Sequence, residues 1–226
     1  MPHTHLTFVE TADGSKTIYN ADVGEQYHSR HGALQESQHV FLQSGLNFFL
    51  EKYEADTADI LEVGFGTGLN FLLTADYSLQ NKIKIHYTGI EAYPLTLEMI
   101  RTTGYNKYLS PDIWESFVEH YPASFKTPAQ INPYCTLELA EKKLLRFNTE
   151  RRFSVIFFDA FAAAYQPEMW TDEALSHICS FIRPGGVFVT YAITGNLKRS
   201  MKALGFSIEK APGAPGKREM LRAVKI

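Results

Sequence analysis

Apolar and polar residues follow two different spacings along this chain. In some short runs every position is apolar, as in VIFF (155–158) and VFV (187–189), which is typical of strands that are buried on both faces. Between such runs, apolar residues recur every three or four positions, which is typical of helices that cover a sheet. Because strands and helices alternate over about 150 residues, the pattern predicts an α/β fold with a doubly wound, mostly parallel sheet.

The same pattern assigns the individual elements. LTFVE (6–10) and KTIYN (16–20) flank Asp13 and Gly14, which predicts a β-hairpin. Residues 104–150 show little pattern beyond one short strand and a helix that contains Trp114, which could be an insertion. The other expected strands cover residues 59–63, 83–93, a stretch near 136–139, 153–161, 185–193, 206–212 and 218–226. The expected helices cover residues 35–53, 67–78, 95–104, 172–182 and 196–205.

The end of the chain predicts one reversed strand. The strands 206–212 and 218–226 are joined by too few residues for a crossover, so they should be antiparallel. A mostly parallel sheet with a reversed last strand is the Rossmann-like architecture of class I methyltransferases, which use S-adenosylmethionine (SAM). We therefore expect an amino-terminal hairpin and connecting segment packed on the core (residues 1–34), followed by a SAM-dependent methyltransferase domain (residues 35–226).

The composition suits one globular domain. The chain has 226 residues, of which 45% are hydrophobic, yet no run approaches the ~20 apolar residues of a membrane helix. The amino terminus lacks a basic segment followed by an apolar one, so we expect no signal peptide. Two cysteines, Cys135 and Cys179, lie far apart and form no metal-binding spacing, and neither do the histidines. We expect a cytoplasmic protein without a disulfide or a metal site.

Charge is distributed unevenly along the chain. The net charge is −3, which by itself argues against a general nucleic-acid binder. Residues 196–226, however, hold eight Lys or Arg and two acidic residues, so this segment carries +6 and the remainder −9. Such a segment is either a surface for an anionic partner or a solvated helix and edge strand, and charge alone leaves both interpretations open.

The stretch EVGFGTGLN (62–70) brings three glycines to the end of an apolar strand. At that position a glycine loop lets backbone N–H groups face a ligand. The dinucleotide pattern G-x-G-x-x-G fails here, because its third glycine would fall on Leu69. Glu62, two residues before the first glycine, is common in sites for SAM, whose amino group is cationic. The glycines could also serve only the packing of the loop against its own helix.

Two further acids lie at the ends of other strands of the predicted sheet. Glu91 ends the second strand, where a carboxylate can accept two hydrogen bonds from a ribose diol. Asp159 follows VIFF at the rim where ligands of open α/β sheets bind. Phe161 and Trp170 lie close by; Phe161 could offer its ring to a planar base, whereas Trp170 is expected to pack in the core. Together these residues favour a nucleoside cofactor, with SAM preferred over NAD.

Several motifs resemble one specific family. DAFAAAYQPEMW (159–170) resembles the D-G-F-A-P-x-x-N-P-[DE]-M-W motif of the MnmC amino-terminal-domain (MnmD) family, tRNA 5-methylaminomethyl-2-thiouridine methyltransferases. EVGFGTGLNF (62–71) and EAYPLT (91–96) resemble its glycine loop and second-strand segment. GALQESQHVFL (32–42) looks like its G-L-E-E-[ST]-x-x-V-F segment, and GKREML (216–221) its closing K-R-E-M-L strand. The resemblance covers essentially the whole chain.

The resemblance implies a reaction and a substrate. It implies methyl transfer from SAM to the aminomethyl nitrogen of 5-aminomethyl-(2-thio)uridine at the wobble position, with the tRNA anticodon stem-loop as partner. Bifunctional members also carry an FAD-dependent oxidase domain, for which this chain has no room, so we expect only the methyl transfer, by a monomer. The motif departs from the family at Ala163, where proline is usual, and at Gln166, where asparagine is usual.

Roles for individual residues follow from the motifs. Asp159 is expected to orient the acceptor amine and accept its proton, and Phe161 to stack on the uracil. Lys217 and Arg218 lie on the basic terminal strand and could hold tRNA phosphates. The cofactor is expected to be held by Glu62 and Glu91 and by the backbone of Gly64, Phe65, Gly66 and Gly68. For the adenine, Glu138 and Glu141 are the candidate acids.

Other functions remain open from the residues alone. An aminopropyltransferase of the spermidine-synthase kind would share the glycine loop and the Asp159 position. A SAM-dependent methyltransferase could also act on another amine. A NAD-dependent oxidoreductase is disfavoured by Leu69, and a cofactor-binding module without catalysis is disfavoured by Asp159.

Overall fold

The computed structural model describes residues 5–226, as a three-stranded sheet beside an eight-stranded sheet with helices on both faces. The strands are β1 (Leu6–Glu10), β2 (Lys16–Asn20), β3 (Glu25–Gln26), β4 (Thr57–Val63), β5 (Lys84–Glu91), β6 (Ala129–Asn132), β7 (Cys135–Glu141), β8 (Phe153–Phe158), β9 (Ile182–Thr190), β10 (Phe206–Pro212) and β11 (Glu219–Lys225). The helices are α1 (Ala33–Glu36), α2 (Phe48–Tyr53), α3 (Leu69–Asn81), α4 (Leu97–Thr102), α5 (Pro111–Ser124), α6 (Asp172–Cys179) and α7 (Gly195–Ala203), with 3₁₀ turns at Tyr105–Tyr108, Leu144–Arg146 and Pro167–Trp170.

The large sheet has the strand order β10-β11-β9-β8-β4-β5-β7-β6. The five central strands, from β9 to β7, pair in parallel. Strand β11 is antiparallel to both of its neighbours, β9 and β10. The predicted doubly wound α/β sheet with a reversed last strand is therefore confirmed. The sheet order also places the carboxyl ends of β4, β5, β7 and β8 side by side at one edge.

Residues 104–150, which the sequence pattern assigned only in part, form part of the sheet cover and one sheet edge, with the expected helix at α5 and the expected strand at β7. Helix α5 buries Ile113, Phe117 and Tyr121 at a four-residue spacing, which is an ordinary amphipathic pattern. Strand β6 has four residues and a register shift against β7, to which it is antiparallel. A strand this short carries too few alternations for its period to be recognised.

The core lies in two layers, one on each face of the large sheet. Alternate side chains of β8 point to opposite faces, so that Phe157 packs against Phe41 with ring centroids 5.3 Å apart. Phe158 packs on the other face against Phe188, with centroids 5.6 Å apart. Each of these four rings is at most 1% exposed, and burying such a ring contributes about 1.5–3 kcal/mol.

One long helical segment packs across the sheet and carries the amino-terminal hairpin. Helix α1 continues through a π-helical stretch, Ser37–Asn47, into α2. Gly45 lets this segment approach closely, because a Cβ there would lie 2.9 Å from side-chain atoms of both Phe157 and Val189. A larger residue would push the segment away from the sheet.

The hairpin turn caps this helical segment. Ser15 Oγ accepts hydrogen bonds from the N–H groups of Ala33 and Leu34 at 3.1 and 3.3 Å, and Asp13 Oδ2 accepts one from Gln35 N at 3.1 Å. These bonds satisfy N–H groups that a helix start leaves free, which the cap residue Gly32 has no side chain to do. The predicted hairpin is thus present and fixed against the core, while the boundary between residues 34 and 35 stays a prediction.

Candidate active site

A cavity of about 750 Å³ opens at the carboxyl ends of the central strands. Its floor includes the loop after β4 and its sides the ends of β5 and β7 and the loop after β8, where open α/β sheets bind ligands. The amino-terminal part of the chain lines it with Leu6 of β1, Val23 between β2 and β3, and Tyr27 after β3. Gly64, Phe65, Gly66, Glu91, Asp159 and Phe161 all line this cavity, so the structure brings together most of the residues singled out from the sequence.

The first two loop glycines are required by close contacts within the protein. Gly64 has a φ of 82°, and a Cβ there would lie 2.3 Å from the backbone oxygen of Asp159. Gly66 has a φ of 52° and lies under the ring of Tyr27. A Cβ on Gly66 would lie 3.0 Å from that ring. Gly68 does not line the cavity; it precedes α3 and packs against Phe65. The glycine loop therefore packs closely against the loop after β8 and leaves room for the ring of Tyr27 above it.

Glu91 fastens the glycine loop to the second strand. Its Oε2 accepts a hydrogen bond from Gly66 N and its Oε1 one from Tyr93 N, both at 2.9 Å. Burial raises the pKa of this carboxyl, and the backbone hydrogen bonds oppose the rise. Each carboxylate oxygen keeps further acceptor capacity toward the cavity.

An asparagine that the sequence analysis overlooked connects two of the predicted acids. Asn70 Nδ2 lies 2.7 Å from Glu62 Oε1 and 2.8 Å from Asp159 Oδ2, and it donates to both. Glu62 also accepts a hydrogen bond from the hydroxyl of Tyr87 at 2.9 Å and is fully buried. Glu62 therefore lies beneath the cavity rather than in its wall, while Asn70 and Asp159 line it. Asn70 could have been noted as the polar residue on the first turn of α3, the helix that follows the loop.

The surroundings of Asp159 and Glu62 favour the protonated, uncharged form of each carboxyl. Burial raises the pKa of Asp159 to about 8, helped by the carboxylate of Glu36 and opposed by the hydrogen bond from Asn70 and the charge of Lys217. Burial and the neighbouring Asp159 raise the pKa of Glu62 well above its ordinary value. A cation brought into the cavity would favour the carboxylate forms.

One polar atom in the cavity wall lacks a partner. Asn70 Oδ1 is buried and accepts no hydrogen bond from any residue in the described part of the chain. An unsatisfied buried acceptor costs about 1–3 kcal/mol, so its presence beside a cavity indicates that a ligand donates to it.

A second cavity of about 210 Å³ adjoins the first across the loop after β8. Tyr27, His28, Ala160 and Phe161 line both cavities and form the junction between them. The rings of Tyr27 and Phe161 meet edge to face, with centroids 5.1 Å apart. The remaining walls combine aromatic and charged side chains, among them Tyr165, Tyr191, Glu25, Glu36, Arg30 and Lys217.

Lys217 is engaged inside this second cavity. Its Nζ lies 2.6 Å from Glu36 Oε1 and 3.8 Å from the centroid of the Tyr191 ring. Glu36 Oε2 in turn accepts a hydrogen bond from Ser29 N at 2.8 Å. The next residue, Arg218, is exposed on the surface. Lys217 and Arg218, which were expected to share one role, therefore lie in different surroundings.

The basic carboxyl-terminal segment does not form a continuous free patch. Lys210 pairs with Glu219 at 3.7 Å and Arg222 with Glu209 at 2.7 Å. Glu209 and Glu219 are the two acids already counted in the +6, so these pairs hold two of the eight cations in place without lowering the net charge of the segment. The alternative interpretation of this segment, as a solvated helix and edge strand, therefore holds for the part that carries these two ion pairs.

The loop after β8 is held by hydrogen bonds on several sides. Tyr191 donates its hydroxyl to Ala160 O at 2.9 Å, and Glu25 accepts from Ala162 N at 2.9 Å. Gln166 Oε1 accepts from Phe161 N at 3.2 Å, so the residue that departs from the family motif still supports the loop. Trp170 donates Nε1 to Phe161 O at 2.8 Å and packs against the Phe158 ring, in keeping with its expected place in the core.

The two candidate acids of the third strand occupy different places. Glu141 lines the large cavity at the end of β7. Glu138 is half-exposed and pairs with Arg151 at 3.0 Å. The position of Glu141 favours it over Glu138 for a contact with a ligand.

Residues 5–226 carry neither a candidate metal site nor a candidate membrane-spanning helix. No group of three or more His, Cys, Asp or Glu side chains in this range is placed to hold a metal ion. None of the helices in the same range has the length and apolar character needed to cross a membrane.

Comparison with known proteins identifies the family of the chain. A family model described as S-adenosyl-L-methionine-dependent methyltransferase matches residues 110–226. A relative from Magnetococcus marinus, "tRNA 5-methylaminomethyl-2-thiouridine biosynthesis bifunctional protein MnmC", is 32% identical over 97% of this chain and 35% of its own length. The protein of the same name from Aromatoleum aromaticum is 29% identical over 98% of this chain and 36% of its own length. The chain thus spans about a third of these relatives.

Solved structures agree on the fold. The crystal structure of MNMC2 from Aquifex aeolicus superposes with a TM-score of 0.76 at 24% identity, covering 96% of this chain and 70% of that one. The crystal structure of Streptomyces venezuelae DesVI superposes with a TM-score of 0.51 at 13% identity, covering 85% of this chain and 92% of that one. The expected class I methyltransferase architecture is therefore confirmed, and the family match favours methyl transfer over aminopropyl transfer or hydride transfer.

Proposed function

Since the chain belongs to the S-adenosyl-L-methionine-dependent methyltransferase family, we propose that it methylates the aminomethyl nitrogen of 5-aminomethyl-(2-thio)uridine at the wobble position of tRNA. The names of the relatives from Magnetococcus marinus and Aromatoleum aromaticum support this substrate. The observation that carries the proposal is the position of Asp159, which lies in the large cavity beside the small, aromatic-lined one. A donor and an acceptor placed in the two cavities would meet next to its carboxylate.

The large cavity suits SAM. Its volume lies within the ~300–1,000 Å³ of small-molecule sites. We propose that Asn70 Oδ1 accepts a hydrogen bond from the cofactor's amino group, which would satisfy this buried acceptor in the wall. Glu91 would hold the ribose diol and Glu141 the adenine. When bound there, SAM supplies an electrophilic methyl group on a sulfonium.

Glu62 would then act on the cofactor through Asn70. Its carboxylate lies beneath the cavity and fixes the amide so that Nδ2 points toward the two acids and Oδ1 is left for a ligand. The backbone of Gly64, Phe65 and Gly66 would form the floor under the methionine part of SAM, with Gly68 setting the direction of α3.

The small cavity suits a pyrimidine that carries an amine. The rings of Tyr27 and Phe161 can wall or stack on the base, and such contacts contribute about 1–3 kcal/mol per base. Glu25 and Glu36 line the same cavity, and their carboxylates would attract an ammonium group. Lys217 partly offsets this attraction and so would limit how strongly the protonated, unreactive amine is held.

Asp159 would prepare the amine for attack. A primary amine with a pKa near that of lysine, ~10.4, is mostly protonated at pH 7 and has no free electron pair. As the carboxylate, Asp159 can accept this proton and hold the neutral amine in line with the methyl group. Its raised pKa of about 8 brings it closer to the amine in proton affinity than an ordinary carboxyl, which favours the transfer.

Contacts with the rest of the tRNA would come from exposed cations near the small cavity. Arg218 is exposed and free to meet a phosphate, whereas Lys217 is paired inside the cavity and would contact phosphate only by leaving Glu36. Recognition through the anticodon stem-loop, action as a monomer and a place in the cytoplasm stay predictions.

One experiment tests the proposed function against its alternatives. The protein is incubated with methyl-labelled SAM and tRNA that contains 5-aminomethyluridine, and the digested nucleosides are identified by mass. Label in 5-methylaminomethyluridine is expected. Label in another nucleoside, or in a small amine but not in tRNA, would overturn the proposal.

A further inference from the structure

The side chain of His28 lies where the two cavities meet, and the reaction as described gives it no role. It follows β3 and lines both the large and the small cavity. Its ring Nδ1 lies 3.0 Å from Thr17 Oγ1, and its own backbone N–H donates to the same oxygen at 3.1 Å. Thr17 is 1% exposed, so both of these contacts occur away from solvent.

The two contacts fix where the imidazole carries its proton. Thr17 Oγ1 accepts the backbone N–H of His28 with one lone pair, and its own buried hydrogen still needs an acceptor. Within residues 5–226 the atom that offers this is His28 Nδ1. A protonated Nδ1 would leave the buried hydroxyl hydrogen without a partner, at a cost that native structures rarely bear. Nδ1 is therefore the acceptor and the ring proton sits on Nε2.

The ring stays neutral over the working range of pH. Burial lowers the pKa of His28 to about 4, although the carboxylates of Glu36 and Asp13 oppose this change. Nε2 makes no hydrogen bond to any residue in the described range. The structure thus presents one neutral, oriented N–H donor at the junction of the cavities.

We propose that His28 Nε2–H donates a hydrogen bond to the C4 carbonyl oxygen of the acceptor pyrimidine and thereby selects uracil over cytosine. The inference rests on the proposed function, because the aminomethyl group must lie at the junction to reach the methyl donor. In 5-aminomethyluridine the C4 carbonyl is next to the carbon that bears this group. Cytosine carries an amino group at C4, whose N–H would face the N–H of His28, and two donors repel each other.

The test uses two synthetic anticodon stem-loops that differ only in 5-aminomethyluridine or 5-aminomethylcytidine at the wobble position. Wild-type protein is expected to prefer the uridine stem-loop by roughly 100-fold in kcat/KM. His28→Phe should lower this preference by about tenfold or more, mainly through slower reaction of the uridine stem-loop. His28→Gln, whose amide can donate or accept, should lower it by raising the reaction of the cytidine stem-loop. Far-UV circular dichroism and the thermal unfolding midpoint check that each variant is folded.

A second pair of variants tests the positioning of the ring. Thr17→Val removes the hydroxyl that fixes the proton and should lower the preference, whereas Thr17→Ser keeps the hydroxyl and should retain it. An unchanged preference in His28→Phe or in Thr17→Val overturns the inference alone, provided that wild-type protein methylates the uridine stem-loop. Failure of wild-type protein to methylate either stem-loop overturns the proposed function and this inference with it.

Discussion

Lys217 and Glu36 form an ion pair, with 2.6 Å between Nζ and Oε1, across 181 positions of the sequence. Glu36 belongs to the segment 32–42 and Lys217 to the segment 216–221, two of the motifs that resemble the MnmC amino-terminal-domain family. Gly216, next to Lys217, approaches so closely to His31 that a Cβ would lie 2.2 Å from its ring. The pair therefore fastens the closing strand to the start of the long helical segment and forms one wall of the small cavity.

We expect the loss of Lys217 to destabilise the protein. Lys217→Met would leave the carboxylate of Glu36, which is 5% exposed, without its partner. Because Lys217 itself is about a third exposed, we expect a loss of about 1–3 kcal/mol in the free energy of unfolding, less than for a fully buried pair. Urea denaturation measures this change.

The neighbouring Arg218→Met serves as the matched control. Its exposed side chain should change the free energy of unfolding by no more than ~0.5 kcal/mol. The double variant of Glu36→Gln and Lys217→Met should lose less than the sum of the single losses. Equal stability of Lys217→Met and Arg218→Met would show that the pair contributes nothing.

Asp159→Asn should abolish most of the methyl transfer while SAM still binds. The amide of asparagine can accept the hydrogen bond from Asn70 but cannot take a proton from the amine. Positioned proton transfer typically contributes about 10²–10⁴ in rate, and we expect a loss of kcat in that range. Near-normal turnover of the variant under single-turnover conditions would remove Asp159 from the proton transfer.

The same substitution predicts a change in the pH dependence of stability. The pKa of Asp159 is raised to about 8 in the folded protein, so the folded state binds its proton more tightly than the unfolded state. Ionisation therefore costs stability progressively as pH rises from about 4 to about 8, and the cost is complete above that range. Asp159→Asn lacks this cost, so its free energy of unfolding should rise relative to wild type between pH 5 and pH 8. A difference that stays constant with pH would mean that Asp159 has an ordinary pKa.

Glu91→Gln should weaken the binding of SAM. A glutamine can accept from one of the two backbone N–H groups, of Gly66 and Tyr93, but its own NH₂ would face the other. We expect the Kd measured by calorimetry to rise about tenfold or more, from loss of the loop support and of the ribose acceptor. Glu138→Gln, on the neighbouring strand and away from the cavity, is the control. Matching affinities in these two variants would place the ribose contact elsewhere.

Arg218→Ala should flatten the salt dependence of tRNA binding. Loss of one phosphate contact lowers the slope of log K against log salt by about 1. Lys217→Ala should change the slope less, because Glu36 already balances its charge. Lys84→Ala provides the control, since Lys84 is exposed at the amino end of β5, opposite the cavity edge. If the slope of log K against log salt is the same for Arg218→Ala as for Lys84→Ala, this would count against the phosphate contact.

The hydrophobic pattern predicted the fold well, because buried strands and amphipathic helices carry their own period. Between residues 104 and 150 it indicated only the strand near 136–139, which is β7, and the helix with Trp114, which is α5, and it missed β6, which is too short to show a period. The site was predictable as far as topology fixes it: Glu91 ends β5 and Asp159 follows β8, and both strands pair with β4, so the two acids had to approach the glycine loop that follows β4.

Contacts made by side chains from distant segments could not be derived in this way. Asn70 joins Glu62 to Asp159 through its rotamer, and the loop pattern gave no sign of that choice. Lys217 belongs to a basic run, and only its packing beside Glu36 and Tyr191 shows that it lies inside a cavity. Strand order decides which backbones meet, whereas the pairing of side chains depends on three-dimensional packing.

The most direct measurement uses a synthetic anticodon stem-loop with 5-aminomethyluridine at the wobble position, SAM with an isotopically heavy methyl group, and tandem mass spectrometry of the product. We expect one heavy methyl on the aminomethyl nitrogen with wild-type protein, and at least a hundredfold less product in the same time with Asp159→Asn. A heavy methyl on the ring or ribose, or equal labelling by the two proteins, would contradict the proposed chemistry.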